Sequence, residues 1–284
     1  MRTFWMVAGL LLVMIGLAAL SSNAWGSGKS LSSFEKKWTF GAGELRDLNV
    51  KSDYKVRMKF VKSTDGSNSV YVNGKGPEKM AEAVQDIKLE DGKLALDLRE
   101  PRKWFSLFDF TALRADEEIV VTMADGAALE KLGLHLDSGS LTLDDANAAT
   151  ADISIDSGSV AITRLSAGKL NLEADSGSIK ADGIQTNDGE VSADSGSIKL
   201  EHVTGPLRVQ ADSGSIKLYK DDTSNVELKA DSGSVYVHLP ESYAGDFDLK
   251  TDSGSIFAPE PKRETKDLVK VRADSGSIRI EQGP

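Results

Sequence analysis

Apolar and polar positions alternate in short runs along most of the chain, a pattern typical of β-strands rather than of helices. From about Leu132 onward the pattern repeats around the four residues DSGS. Apolar residues stand three positions before each aspartate and four and six positions after it. The position directly before the aspartate is also apolar, with Thr251 as the exception. Each repeat is therefore predicted to hold two short strands joined at DSGS.

The repeat occurs eight times, at steps of 19, 19, 19, 18, 19, 21 and 22 residues. A unit of this size has too little apolar surface to form a core alone, whereas stacked units bury a continuous column. We therefore predict an all-β fold, a β-helix-like parallel β-solenoid of about eight coils of roughly 19 residues, at 129–284. A β-meander with DSGS at the hairpin tips is the competing topology.

Strand parity makes DSGS a corner. The apolar positions directly before and four after the aspartate are five residues apart, so in one straight strand they would face opposite sides. Glycine at the third position is expected to supply a positive φ. The aspartate carboxylate is expected to accept a backbone N–H two residues on. The predicted turn glycines are Gly139, Gly158, Gly177, Gly196, Gly214, Gly233, Gly254 and Gly276. The variable spacer is expected to hold a second, looser corner.

Residues 37–128 are predicted to form a β-rich region that packs on the solenoid. Strands are expected at 45–50, 54–61, 69–72 and 117–123, with a short helix at 76–84 and a hairpin at 87–96 around Asp91-Gly92. The segment KWFSLFDF (103–110) holds four of the 18 aromatic residues. We expect it to cap the open end of the first coil. An exposed contact for a membrane or a partner is the alternative.

The N-terminal segment 1–28 is predicted to be an apolar helix that anchors the chain in a membrane. Phe4 to Leu20 is a run of 17 apolar or glycine residues behind Arg2, close to the length that spans a bilayer. The alternative is a signal peptide cleaved near Ala24, which would make the protein secreted. Residues 29–36 are predicted to be a polar tether. The charge pattern sends the remainder to the outer side of a cell membrane crossed once.

Charge and cysteine content narrow the function classes. The net charge is −10, which argues against nucleic-acid binding, because that function is marked by basic surfaces. The chain has no cysteine, so disulfides and zinc–thiolate sites are excluded.

The repeated aspartates have a structural and a metal-binding interpretation. On the first, they are corner residues and the protein needs no cofactor. On the second, they bind calcium in a secreted β-roll, although one carboxylate per coil is a poor supply for an ion that takes six to eight oxygens. The aspartates in question are Asp137, Asp156, Asp175, Asp194, Asp212, Asp231, Asp252 and Asp274.

Catalysis is not indicated, and we expect a protein that is not an enzyme. His135, His202 and His238 fall at different places in the repeat, so they do not form a constellation. No Gly-x-Ser-x-Gly motif accompanies a strand-to-helix turn. A carbohydrate-active β-helix enzyme stays as the less favoured alternative, with its groove expected at the irregular coils 240–246 and 257–268.

The sequence resembles the bacterial β-strand-repeat family labelled "putative adhesin", which includes membrane-anchored envelope-stress proteins of the LiaG type. The resemblance rests on FGAGELRDLNVKS, EDGKLALDL, EEIVVTMADGAALEKLGLHLDSGSLTL and the DSGSI coils. It implies a tethered protein of the cell envelope. We expect a binding or scaffold module whose long outer faces bind a protein partner or a wall polymer. It implies no catalytic residue.

Overall fold

The computed structural model describes residues 31–99, 116–124 and 126–283. The predicted anchor at 1–28 and the segment KWFSLFDF (103–110) lie outside these residues. The elements are β1 (Ser32–Phe40), β2 (Asp47–Ser52), β3 (Lys55–Lys62), β4 (Asn68–Gly76), α1 (Glu78–Asp86), β5 (Lys93–Leu98), β6 (Asp116–Met123), β7 (Leu129–Ser195), β8 (Ile198–Thr204), β9 (Leu207–Ser213), β10 (Ile216–Lys220), β11 (Val226–Ser232), β12 (Val235–Pro240), β13 (Asp246–Ser253), β14 (Ile256–Phe257), β15 (Leu268–Ser275) and β16 (Ile278–Gly283).

Successive coils pair in parallel along a column, so the fold is all-β and solenoid-like, as predicted. On one face, which we call the front sheet, β8, β10, β12, β16 and β14 follow one another. On a second face, the back sheet, the order is β9, β11, β15 and β13. Strand β7 is 67 residues long, passes through three DSGS corners and ends within the fourth, contributing to both faces.

The interior of the column is aliphatic. Because the repeats align in register, equivalent side chains stack directly: Ile198, Ile216 and Val235 lie side by side in the front sheet and are at most 1% exposed. Burying such a side chain contributes about 1.5–3 kcal/mol. Stacking thus supplies the core that a single repeat lacks.

The coils turn more regularly between repeats than the sequence indicates. In four consecutive coils the residue eight positions after the aspartate has a left-handed backbone: Asp145 (φ 61°), Arg164 (57°), Gly183 (77°) and His202 (53°). The flanking buried residues are three apart, as at Ile162 and Leu165, so the chain bends at this point. The expectation of a loose second corner was therefore wrong for these coils, because a stacked column repeats its backbone at every bend.

The DSGS corners form a ladder in which only glycine fits the third position. All eight glycines have positive φ, from 96° to 157°. A Cβ on Gly196 would overlap the carbonyl oxygen of Gly177 in the preceding coil. The Gly196 amide donates to the Ser213 carbonyl of the following coil at 2.9 Å. The ladder thus leaves no room for a side chain between coils.

The corner aspartates contact side chains instead of the backbone N–H groups that the sequence analysis predicted. Asp212, Asp231 and Asp252 contact side chains two residues earlier: Gln210 (3.1 Å), Lys229 (2.8 Å) and Lys250 (3.3 Å). Backbone hydrogen bonds between coils already occupy corner amides such as Gly196 N–H. The carboxylates are consequently directed to side chains on the outer surface.

The N-terminal region extends the column rather than only packing on it. Strands β2 and β3 pair in parallel with β7, and β5 and β6 pair in parallel with β2 and β3. Strand β4 then joins β6 in antiparallel fashion and β1 joins β4. Helix α1 contacts β1, β4 and β5. These elements cover this end of the column, which therefore has more coils than the eight DSGS repeats.

The structure corrects two local predictions, the extent of the tether and the hairpin at 87–96. Residues 32–36, assigned to a tether, lie in β1, because their backbone pairs with 72–76 of β4. The predicted hairpin at 87–96 reduces to a tight turn at Asp91 (φ 48°) and Gly92 (φ 78°), closed by a single bridge between Glu90 and Lys93. Strand β5 pairs with β2 instead.

The last two coils stack out of chain order. Strand β15 lies between β11 and β13, and β16 lies between β12 and β14. The coil formed by β15 and β16 therefore lies between the coil of β11 and β12 and the coil of β13 and β14, which precedes it in the sequence. As a result, β13 and β14 form the end of the column.

Helix α1 has nine residues. Within 31–99, 116–124 and 126–283, no helix is long and apolar enough to cross a bilayer.

A carboxyl group occupies the end of one aliphatic stack. Glu117 is aligned with Val56, which is followed in the stack by Leu141, and its side chain is fully buried. Ser52 Oγ lies 2.7 Å from Glu117 Oε2. Burial raises the pKa of Glu117 to about 8, and the nearby charge of Asp53 adds to this.

We expect Glu117 to make stability fall as the pH rises. The folded state keeps the proton up to about pH 8, whereas the unfolded chain loses it near pH 4.5. The stability contributed by the protonated form is therefore complete below pH 4.5 and is lost between pH 4.5 and 8, by about 5 kcal/mol. Glu117→Gln should remove this loss. Urea denaturation at pH 5 and pH 8 measures it; equal pH dependence in both proteins would contradict the prediction.

Candidate binding surface

Three aromatic side chains meet on the outer surface of the front sheet. Tyr219 lies on β10, and Tyr236 and His238 lie on β12. The ring centroids of Tyr219 and Tyr236 are 5.5 Å apart, and those of Tyr219 and His238 are 5.8 Å apart. We call these three residues the aromatic face.

Strand alternation explains why the rings point outward. Val235, Val237 and Leu239 of β12 are buried, so the residues between them face solvent. The parallel register places Tyr219 directly beside His238. Because neighbouring strands are about 4.8 Å apart, rings on adjacent coils come into contact.

A buried lysine holds the chain next to Tyr219. Lys220 is 2% exposed and is aligned with Val203 through a bulge after Leu218. Its ammonium group contacts Asp222 and the Gly205 carbonyl. Burial lowers the pKa of Lys220, and the ion pair with Asp222 opposes this. Because the buried charge is paired, Lys220 closes this side of the coil with polar contacts instead of an aliphatic side chain.

A charged pair fixes the other side of the aromatic face. The Tyr236 hydroxyl lies 2.6 Å from Glu281 Oε2, and Arg279 Nε lies 2.6 Å from Glu281 Oε1. The hydrogen bond to Glu281 raises the pKa of Tyr236 to about 12. The same bond and Arg279 lower the pKa of Glu281. Tyr236 therefore stays a neutral hydrogen-bond donor, and its ring is held in place.

The aromatic face interrupts a simpler pattern. Five and seven residues after the aspartate, two preceding coils carry the pairs Lys180 with Asp182 and Lys199 with Glu201. Lys199 and Glu201 form an ion pair at 2.7 Å. In the next coil Tyr219 follows Lys217 in place of an acidic residue, and in the coil after that Tyr236 and His238 occupy both positions. These positions face outward, so packing inside the column does not require aromatic residues there. Flat rings with a hydroxyl or imidazole group suit ligands that offer both apolar and polar surface.

The structure separates the residues that the sequence analysis considered for function. Nδ1 of His135 contacts Ser154 Oγ on the next coil, and Nδ1 of His202 pairs with Asp221 at 3.1 Å, which raises the pKa of His202. Only His238 belongs to the aromatic face, which the sequence analysis did not identify. Comparing the outward positions of the repeats would have found it.

The eight corner aspartates lie along one edge of the column, one per coil. In the part of the chain that the structure describes, no three histidine or acidic side chains come together as a metal site would require.

The chain is similar to three solved structures. These are a "putative adhesin" from Bacteroides fragilis NCTC 9343 (12% identity, TM-score 0.45, covering 90% of this chain and 100% of that one), a "putative adhesin" from Parabacteroides distasonis ATCC 8503 (12%, 0.36, 89% and 98%), and a "putative cell adhesion protein" from Clostridium sporogenes ATCC 15579 (11%, 0.29, 88% and 100%). No curated protein sequence matches the chain.

The sequence profile of one family covers most of the chain and the whole stacked column. It matches residues 46–281, from the start of the first coil to the last strand. The chain belongs to the Toastrack DUF4097 family.

Proposed function

We propose that this protein is a membrane-tethered, extracytoplasmic scaffold of the cell envelope, which binds a wall polymer through the aromatic face. The aromatic face is the observation that carries the proposal. The two preceding coils hold charged pairs at the equivalent outward positions, whereas three adjoining rings at Tyr219, Tyr236 and His238 offer apolar surface to a ligand.

Membrane tethering is supported by the sequence of the N-terminal segment. Phe4 to Leu20 is apolar and follows Arg2, which favours an uncleaved anchor with the column on the outer side. A role in the response to envelope stress would suit such a location. The repetition of the coils favours binding over catalysis, since a catalytic site is asymmetric.

Binding to the wall polymer is expected to depend on the aromatic face. The full chain is purified from the membrane fraction of expressing cells and incubated with insoluble peptidoglycan sacculi. Replacing Tyr219 and Tyr236 together by serine should weaken co-sedimentation about tenfold or more, because each ring contributes about 1 kcal/mol of stacking. N-terminal sequencing of the same material shows whether the apolar run is retained.

Lys180→Ser with Lys199→Ser is the matched control, because these residues lie on the same sheet in the two coils that precede the aromatic face and are not aromatic. The control should bind as the wild type does. Equal binding by all three proteins would contradict the role of the aromatic face, and a mature chain that starts near Trp25 would contradict the tether.

A further inference from the structure

Within the described residues, no strand or helix covers the end of the column that is formed by β13 and β14. Among the described strands, β13 pairs only with β15 and β14 only with β16. Their remaining edges present unpaired backbone groups, which natural proteins usually protect. The opposite end, by contrast, carries β4, β1 and α1.

Core positions are exposed at this end. Ile256 is aligned with Ile278, yet it is 42% exposed whereas Ile278 is fully buried. Phe257 is 60% exposed, and these two residues are the large exposed hydrophobic residues of the described chain. Phe247 and Leu249 of β13 are partly buried against the core. A further layer on this end would bury Ile256, Phe247 and Leu249, which are aligned with the buried residues Ile278, Val269 and Val271.

The edge strand β13 is complementary in charge to a second copy of itself. Its outward residues include Asp248 and Lys250, and Leu249 between them faces the core. If two β13 strands run antiparallel about a two-fold axis at Leu249, each Asp248 lies opposite the Lys250 of the other copy. Opposite charges in directly paired positions stabilise a strand pair.

The charges at the outer positions of the same strand pairing are compatible with a dimer. Asp246 would face Asp252 of the second copy, and Arg263 lies 3.1 Å from Asp246 in its own chain. Lys250 lies 3.3 Å from Asp252 and would be shared between Asp252 and the Asp248 of the other copy, which also pairs with Arg272 of its own chain. Because the opposite end of the column is covered, the contact joins two like ends and closes as a dimer instead of growing into a filament.

We propose that β13 and β14 form a homodimer interface, in which two columns join end to end through antiparallel β13 strands centred on Leu249. This inference does not depend on the aromatic face, which lies on the outer surface of the front sheet. The dimer would present two aromatic faces at once, and two linked sites raise the avidity for a repetitive polymer.

Cross-linking tests the interface, since the chain has no cysteine of its own. In an antiparallel pair the opposite Cα atoms are about 4.5–5.5 Å apart, within the range of a disulfide. The full chain with Leu249→Cys, oxidised in intact cells, should run as a disulfide-linked dimer on a non-reducing gel. Lys180→Cys, which is exposed on the front sheet, should remain a monomer.

A second pair of variants leaves the core-facing residue untouched. Asp248→Cys and Lys250→Cys should each give little dimer alone but a linked dimer when the two chains are co-expressed. The inference is overturned if folded Leu249→Cys links no better than Lys180→Cys, if it links to a different protein, or if the co-expressed pair links no better than either chain alone.

Discussion

Replacing Gly196 by valine is expected to destabilise the column by several kcal/mol. Gly196 has φ 144°, a conformation that valine strongly disfavours. The new Cβ would also overlap the carbonyl oxygen of Gly177. Relieving the overlap requires the two coils to separate, which would strain the hydrogen bonds along the corner. Urea denaturation of the purified protein measures the change in the free energy of unfolding.

Gly66→Val separates backbone strain from contact between coils. Gly66 also has positive φ, 79°, but a Cβ there meets no atom within 4 Å. This control should therefore cost only the strain, about 1–3 kcal/mol. If Gly196→Val changes stability by less than about 0.5 kcal/mol, or by no more than Gly66→Val does, the glycine ladder does not limit the spacing of the coils.

A second large effect is expected at Val271, where an aspartate should cost more than about 4 kcal/mol. Val271 is fully buried and lies between Leu228 and Leu249 of the two neighbouring coils. The substitution would bury a charge without a partner, which is among the most destabilising changes known.

Leu249→Asp is the matched variant, because both residues stand three positions before a DSGS aspartate. Leu249 lies on the end coil and is only partly buried, so its replacement should cost much less in dilute monomeric protein. Stacking in chain order would reverse this ranking, because the last repeat in the sequence would then lie at the end. Denaturation midpoints of the two variants therefore decide between the two orders.

The general fold could be predicted from the sequence because the spacing of apolar residues in each repeat indicates where the strands lie and where the chain bends. Apolar residues five apart across DSGS require a bend, and Gly196 and its equivalents provide it. The insertion of β15 and β16 could not be predicted in the same way. All coils share one apolar pattern, so Val271 is as compatible with Leu228 as with Leu249, and strand periodicity does not choose between neighbours.

The regular geometry of the second corner was not predicted, for a related reason. The left-handed conformation is adopted there by four different residue types, at Asp145, Arg164, Gly183 and His202. Of these types, only glycine indicates such a conformation when it is seen in a sequence. The aromatic face was missed because its residues point outward. The apolar periodicity predicts which side chains are buried in the core. It gives no information about Tyr219 and Tyr236, which occupy outward positions that core packing does not constrain.

The inserted C-terminal coil also has a consequence for the order of events during synthesis. A solenoid stacked in chain order can add each coil to the growing column as the polypeptide emerges. Here β13 and β14 are made before β15 and β16, which must separate them from β11 and β12. Unless β13 and β14 first pair with the wrong neighbours, they must wait until β15 and β16 have been made. The order in which the last coils can join the column therefore differs from the order in which they are synthesised.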